Sequence, residues 1–171
     1  TNMGRRAGVP NANPRAEWDE RCPTTEYFTE LMRVSKNQII WGANHFISKM
    51  PFDSPFWIAW DKGFSPEVSF AQFELAWTSL NGTCKRYDCS PNQQGRIHPT
   101  QKPIELYKWL LQNYAKEGDR ILDTHLGSAS IALACWDLGF DLTGYELDED
   151  YFNAGFQRLE THKTQGQFEF A

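Results

Sequence analysis

Residues 120–146, RILDTHLGSASIALACWDLGFDLTGYE, decide the fold. Arg120-Ile121-Leu122-Asp123 is a short apolar strand, Thr124 to Gly127 a turn, Ala129 to Leu138 an apolar helix, and Leu142 to Glu146 a second strand. A strand, a glycine turn, a helix and another strand in so short a span make a parallel pair joined by a helical crossover, the building unit of an α/β sheet. Asp123 and Glu146 then stand at the carboxyl ends of two strands, where open α/β sheets bind ligands. Between them Gly127 and Ser128 lead into a helix N-terminus, which lets backbone approach a ligand closely. An acid at the end of the second strand can accept both hydroxyls of a ribose, so the pair reads as a nucleoside site.

The turn has one glycine where a dinucleotide fingerprint needs G-x-G-x-x-G, and no Gly-Lys-Ser/Thr occurs in the chain. Diphosphate binding, and with it a nucleotide-dependent oxidoreductase, is disfavoured. A nucleoside cofactor without a pyrophosphate is left, and S-adenosylmethionine fits that description. An ordinary crossover with two solvated acids explains Asp123 and Glu146 equally well when they are taken alone. His98-Pro99-Thr100-Gln101-Lys102-Pro103 shifts the balance. It sets a hydroxyl, an amide and an ammonium just before the helix that leads into the Asp123 strand, and a ligand carboxylate needs such donors.

Working outward, Pro103 opens a helix expected through Lys116, and Asp148 one through about Thr161, its first turn rich in acids. Upstream, Thr24 can cap a helix through Val34. Strands are expected at Gln38–Gly42, Phe56–Trp60 and Phe70–Ser79, and the stretch 80–97 turns polar. The first 23 residues, with glycines, prolines, Arg5, Arg6 and Arg15, read as a basic loop arm. The chain of 171 residues suits one domain, 40% hydrophobic, with 17 Lys plus Arg against 22 Asp plus Glu and a net charge of −5. Bulk charge therefore does not hold it to nucleic acid, and any such contact needs a local basic patch. No apolar stretch is long enough for a membrane span, and no signal peptide is visible, which favours a cytoplasmic protein with reduced thiols. Cys84-x4-Cys89 lacks a second ligand pair, so no metal is expected.

The order Ile-His-Pro-Thr-Gln-Lys-Pro, Ile-Leu-Asp-Thr-His-Leu-Gly-Ser-Ala-Ser and Gly-Tyr-Glu-Leu-Asp-Glu-Asp-Tyr resembles the amino-methyltransferases of DNA, in the permuted arrangement called the β class. The likeness is phage-like. It continues upstream through Trp60-Asp61-Lys62, residues 33–44, Tyr27-Phe28 and Glu17-Trp18-Asp19, so it covers nearly the whole chain. The resemblance implies a three-layer α/β fold with a mostly parallel, Rossmann-like sheet and S-adenosylmethionine as cofactor. It implies methyl transfer to an exocyclic amine of a flipped base in double-stranded DNA, leaning to adenine N6 over cytosine N4. A homodimer, a helper chain, or a restriction enzyme beside the methylase are further associations of such proteins.

Position by position, the resemblance makes Asp123, Leu126, Gly127 and Ser128 the cofactor loop and gives Glu146 the ribose. It places His98, Thr100 and Lys102 around the methionine end. Thr124-His125 stands where Pro-Phe is commoner, and Ala129-Ser130 where Gly-Thr is. The DNA-side candidates are Arg5, Arg6, Asn44, Lys85, Arg86 and Arg96. Residues 24–80 would be the substrate-side half, 81–97 a short recognition loop, and 98–171 the cofactor half. The family's catalytic tetrapeptide, Asp/Asn/Ser-Pro-Pro-Tyr/Phe, does not occur in these 171 residues. It is expected just before Thr1, with the sheet lacking its first strand or strands, and a non-catalytic binding subunit is the rival reading.

Overall fold

A computed structural model describes residues 22–91 and 95–168. The arm that carries Arg5, Arg6 and Arg15 lies outside the described residues. Helix α1 (Thr25–Val34) starts as read, the Thr24 hydroxyl accepting the Tyr27 N–H at 3.3 Å. Phe28 is its buried anchor and stacks on Phe46, the residue between two short 3-10 turns, Ala43–His45 and Ile47–Lys49.

Strands β1 (Ile39–Trp41), β2 (Trp57–Asp61), β3 (Phe73–Thr78) and β4 (Lys85–Asp88) form one sheet in the order β1-β3-β2-β4. β3 runs antiparallel to both β1 and β2, while β2 and β4 are parallel. Helix α2 (Ile104–Tyr114) leads to β5 (Arg120–Asp123), α3 (Ser130–Leu138), β6 (Asp141–Gly144) and α4 (Glu149–Phe168). β5 and β6 are parallel, with Asp123 opposite Gly144, which is the crossover unit read from residues 120–146.

Several boundaries differ from the sequence reading. β3 begins at Phe73, because Phe70 leaves the strand line and packs edge-on against Phe64 with centroids 4.7 Å apart. The polar interval 81–97 is not all loop: its Lys85–Asp88 segment is β4. That strand is exposed except for Tyr87, which stacks on Trp109, so it shows no apolar alternation and owes its form to pairing with β2. Among the described residues two strand pairings are parallel and two antiparallel, consistent with a Rossmann-like α/β fold. β6 stops at Gly144, where a side chain would meet Leu126 Cδ1 at 2.9 Å, so Glu146 sits two residues past the strand. α4 runs seven residues beyond the expected Thr161.

Two clusters make the core. Phe56, Ile58, Trp60, Ala76, Leu106 and Leu110 bury the four-stranded sheet against α2, and Leu111, Ala134 and Cys135 join α2 to α3. Tyr107 packs on both. The described strands thus form two sheets, and α2 is the element whose side chains serve both.

Candidate functional site

The loops after β5 and β6 share one end of their parallel pair. Tyr145 N–H donates to Asp123 O and Leu126 N–H to Tyr145 O, each at 2.8 Å, so the two loops are laced by backbone. Gly127 has φ of +52°, and a Cβ there would lie 3.6 Å from the His98 ring; the left-handed turn is what demands glycine. Its N–H donates to Glu146 Oε2 at 2.7 Å. The other oxygen of Glu146 accepts from Leu147 N–H and Asp148 N–H at 2.9 and 3.0 Å. Three charge-assisted bonds therefore fix this carboxylate before any ligand arrives, and Oε2 retains capacity to accept a hydroxyl.

Asp123 is half-buried, and its Oδ1 accepts the His125 N–H at 2.9 Å. Burial pushes its carboxyl above the usual range, against the opposing pull of that bond and of the His125 and Lys102 charges. That burial disfavours the ionised form, and a cation placed beside the carboxyl would offset the cost. Thr124 and His125, the two residues that depart from the commoner pattern, join a hydroxyl chain to α1: Tyr27 OH lies 2.6 Å from Thr124 Oγ1, which lies 3.1 Å from His125 Nδ1.

His98 is buried, with Nδ1 3.1 Å from Thr100 Oγ1 and its ring packed edge-on against Tyr151 at 4.3 Å. Buried Gln101 accepts the Ile97 N–H at 3.1 Å and so closes the loop on itself. The structure thus brings together His98, Thr100, Gly127 and Glu146 through direct contacts, with Asp123, Leu126 and Ser128 in the same turn. Lys102 goes elsewhere: its ammonium pairs with Glu74 on β3 at 3.1 Å and lies 5.5 Å from the Trp41 ring centre.

Among the DNA-side candidates, Asn44 is exposed in the turn after β1 and Lys85 is exposed on β4. Arg86 pairs with Asp61 at 2.9 Å and Asp88 at 2.6 Å, so its charge is already compensated. Arg96 donates to Pro99 O at 2.5 Å and braces the His98 loop. Trp41 packs at the margin of the core, edge-on to Trp60.

The sequence reading missed the residues that hold the turn from behind. Arg158 of α4 donates to Ser128 O and Ser130 Oγ, both at 2.8 Å. Burial lowers the pKa of its guanidinium. Ala129 takes φ of 57°, a left-handed conformation that costs an L-residue about 1 kcal/mol, and a Cβ on Gly155 would meet Ala129 Cβ at 3.0 Å. Nothing local marks Arg158 or Gly155, since both act across a helix–turn contact; only the Ala129-Ser130 departure pointed toward this spot.

Residues 17–157 match the model of the N6/N4 methyltransferase family, described as DNA methylase. The type II methyltransferase M.HpaI of Haemophilus parainfluenzae is 31% identical over 70 residues, which are 41% of this chain and 22% of that protein. The type II methyltransferase M2.DpnII of Streptococcus pneumoniae is 36% identical over 63 residues, 37% of this chain and 24% of that protein. The matched part thus spans less than a quarter of either relative. Among solved structures, the M1.HpyAVI–SAM complex superposes with a TM-score of 0.64 at 21% identity, over 79% of this chain and 81% of that one. That likeness shows a shared fold, the Rossmann-like fold that the resemblance implied.

Proposed function

The chain belongs to the N6/N4 family of DNA methylases, and from that premise we propose that it binds S-adenosylmethionine between β5 and β6 and serves methyl transfer to adenine N6 in DNA. The observation that carries the reading is the Gly127–Glu146 bond beside the half-buried Asp123. Asp123 offers a desolvated carboxyl to a ligand with cationic groups, and Glu146 keeps an acceptor for a ribose hydroxyl. His98 and Thr100 border the same turn and would face the methionine end. These residue types fit a nucleoside that carries an ammonium and a sulfonium.

When bound, the cofactor would supply an electrophilic methyl group for displacement by an amine. The chain's own residues hold and orient. Glu146 is prefixed by three backbone donors, the His98 ring keeps the Gly127 turn in place, and Arg158 secures the turn's carbonyl from below. Preorganisation of this kind lowers the entropic cost of a displacement that depends on alignment. Asn44, Lys85 and Arg96 remain the described DNA-side candidates without an acidic partner among the described residues, Arg96 being held to the Pro99 carbonyl, and the choice of adenine over cytosine rests on the family-level lean alone.

Titration with S-adenosylmethionine by calorimetry tests the site. Saturable binding is expected, weakened at least about tenfold by Asp123→Ala and by Glu146→Ala, the loss of one strong charge-assisted interaction each. Unchanged curves for both would sink the assignment. Incubating the protein with DNA and the methyl-labelled cofactor, then resolving the nucleosides, distinguishes N6-methyladenine from N4-methylcytosine. Tight cofactor binding without transfer is the outcome expected of the rival reading, a subunit that acts beside a catalytic partner.

A further inference from the structure

Glu74 on β3 is a half-buried carboxylate that two lysines share. Oε1 pairs with Lys62 at 2.8 Å and Oε2 with Lys102 at 3.1 Å, and each lysine side chain is only 15% exposed. Each ammonium also lies over an indole, Lys62 at 5.3 Å from the Trp60 ring centre and Lys102 at 5.5 Å from that of Trp41. Burial pushes the Glu74 carboxyl up, yet the Lys102 charge and the lysine hydrogen bonds outweigh it and leave the group below the usual range. The arrangement therefore favours the ionised carboxylate.

Lys102 lies between two acids. Its charge reaches Asp123 as well as Glu74, and the Tyr107 hydroxyl feels both carboxylates. Among the described residues the Asp123 carboxyl makes no ion pair, and it accepts a hydrogen bond from His125 N–H. An unpaired, desolvated carboxyl is an attractive target for a lysine on a flexible stem. What keeps Lys102 away is the second carboxylate, itself pinned from the other side by Lys62.

We propose that Glu74 is a positioning residue for the cofactor site: by holding the Lys102 ammonium on β3, it keeps the Asp123 carboxyl available to the cationic groups of the ligand. The inference rests on the S-adenosylmethionine reading above and assigns Lys102 a different part from the ligand contact expected of it. In Glu74→Gln the shape persists but the charge is gone, and Lys102 is released toward Asp123, the other acid that feels its charge. The internal ammonium then competes with the ligand.

Calorimetric titration of the full chain with S-adenosylmethionine decides the matter, with circular dichroism reporting on the fold of each variant. Glu74→Gln raises Kd about tenfold, the equivalent of losing one strong charge interaction, and adding Lys102→Met to it restores most of the affinity. A Glu74 that only braces the sheet would leave the double variant at least as impaired as the single one, and that result overturns the inference. So does an unchanged Kd in a folded Glu74→Gln. Should that variant lose its fold, Lys62→Met loosens Glu74 more gently and is expected to weaken binding about threefold, and an unaltered curve overturns the inference. Failure of the unmodified chain to bind S-adenosylmethionine would instead remove the cofactor reading and this inference with it.

Discussion

Asp123 holds a carboxyl in a place that suits its neutral form, and under the proposed cofactor role the consequence is a conflict between stability and binding at one residue. Burial raises its pKa in the folded state above the usual carboxylate range. Between the ordinary pKa and the raised one the folded chain binds more protons than the unfolded chain, so stability falls as pH rises through that window. Asp123→Asn keeps the acceptor for His125 N–H but removes the charge. It is expected to melt at a higher temperature than the unmodified chain at pH 7, by about 0.5–2 kcal/mol of stability, with the gain shrinking toward pH 4 while cofactor binding is lost. A thermal melt series across pH checks this, and a variant that melts lower at pH 7 refutes it. Glu146 and Gly127 were legible as a candidate site from their place after two strands, because strand ends and glycine turns are local signals. Arg158 was not, because its partners are Ser128 O and Ser130 Oγ, some thirty residues earlier in the chain.

The helices behind the site are joined through one residue of α3. Asp137 receives Lys108 of α2 at 2.8 Å and His162 of α4 at 2.6 Å. Burial pushes its carboxyl up, but the bonds from Lys108 and His162 outweigh burial and hold it below the usual range. A depressed folded pKa contributes stability above the unfolded pKa and loses it as pH falls through the folded one. Asp137→Asn should therefore cost about 1 kcal/mol at pH 7 and nearly nothing in acid, read from urea unfolding at the two pH values. Helix α1 was readable because Thr24 and the spacing of its apolar residues are complete within ten residues. Strand β4 was not: Lys85-Arg86-Tyr87-Asp88 has the composition of a loop, and pairing with β2, together with Arg86 bridging Asp61 and Asp88, makes it a strand.

The two sheets meet the same helix. Leu106 is fully buried in the cluster under the four-stranded sheet, Leu111 lies in the cluster with α3, and Tyr107 between them touches both. Leu106→Ala should cost about 2–5 kcal/mol, the range for a buried leucine, and should remove packing that makes both halves unfold together. Calorimetry is expected to show one transition for the unmodified chain and a lower or split transition for the variant. A single transition at the original temperature would show that α2 is not the joint.

The class of fold, the turn of the candidate site and the acids that flank it were determined by the sequence alone, since residues 120–146 contain their own strands, helix and glycine. Tertiary structure decided where the charges go. Lys102 stands in the His98 motif yet pairs with Glu74, Arg86 is spent on two aspartates, and Arg158 secures a turn it does not adjoin. Apolar periodicity and turn chemistry are written into neighbouring residues. A long side chain's partner depends on which carboxylate or carbonyl the packed elements bring within its reach.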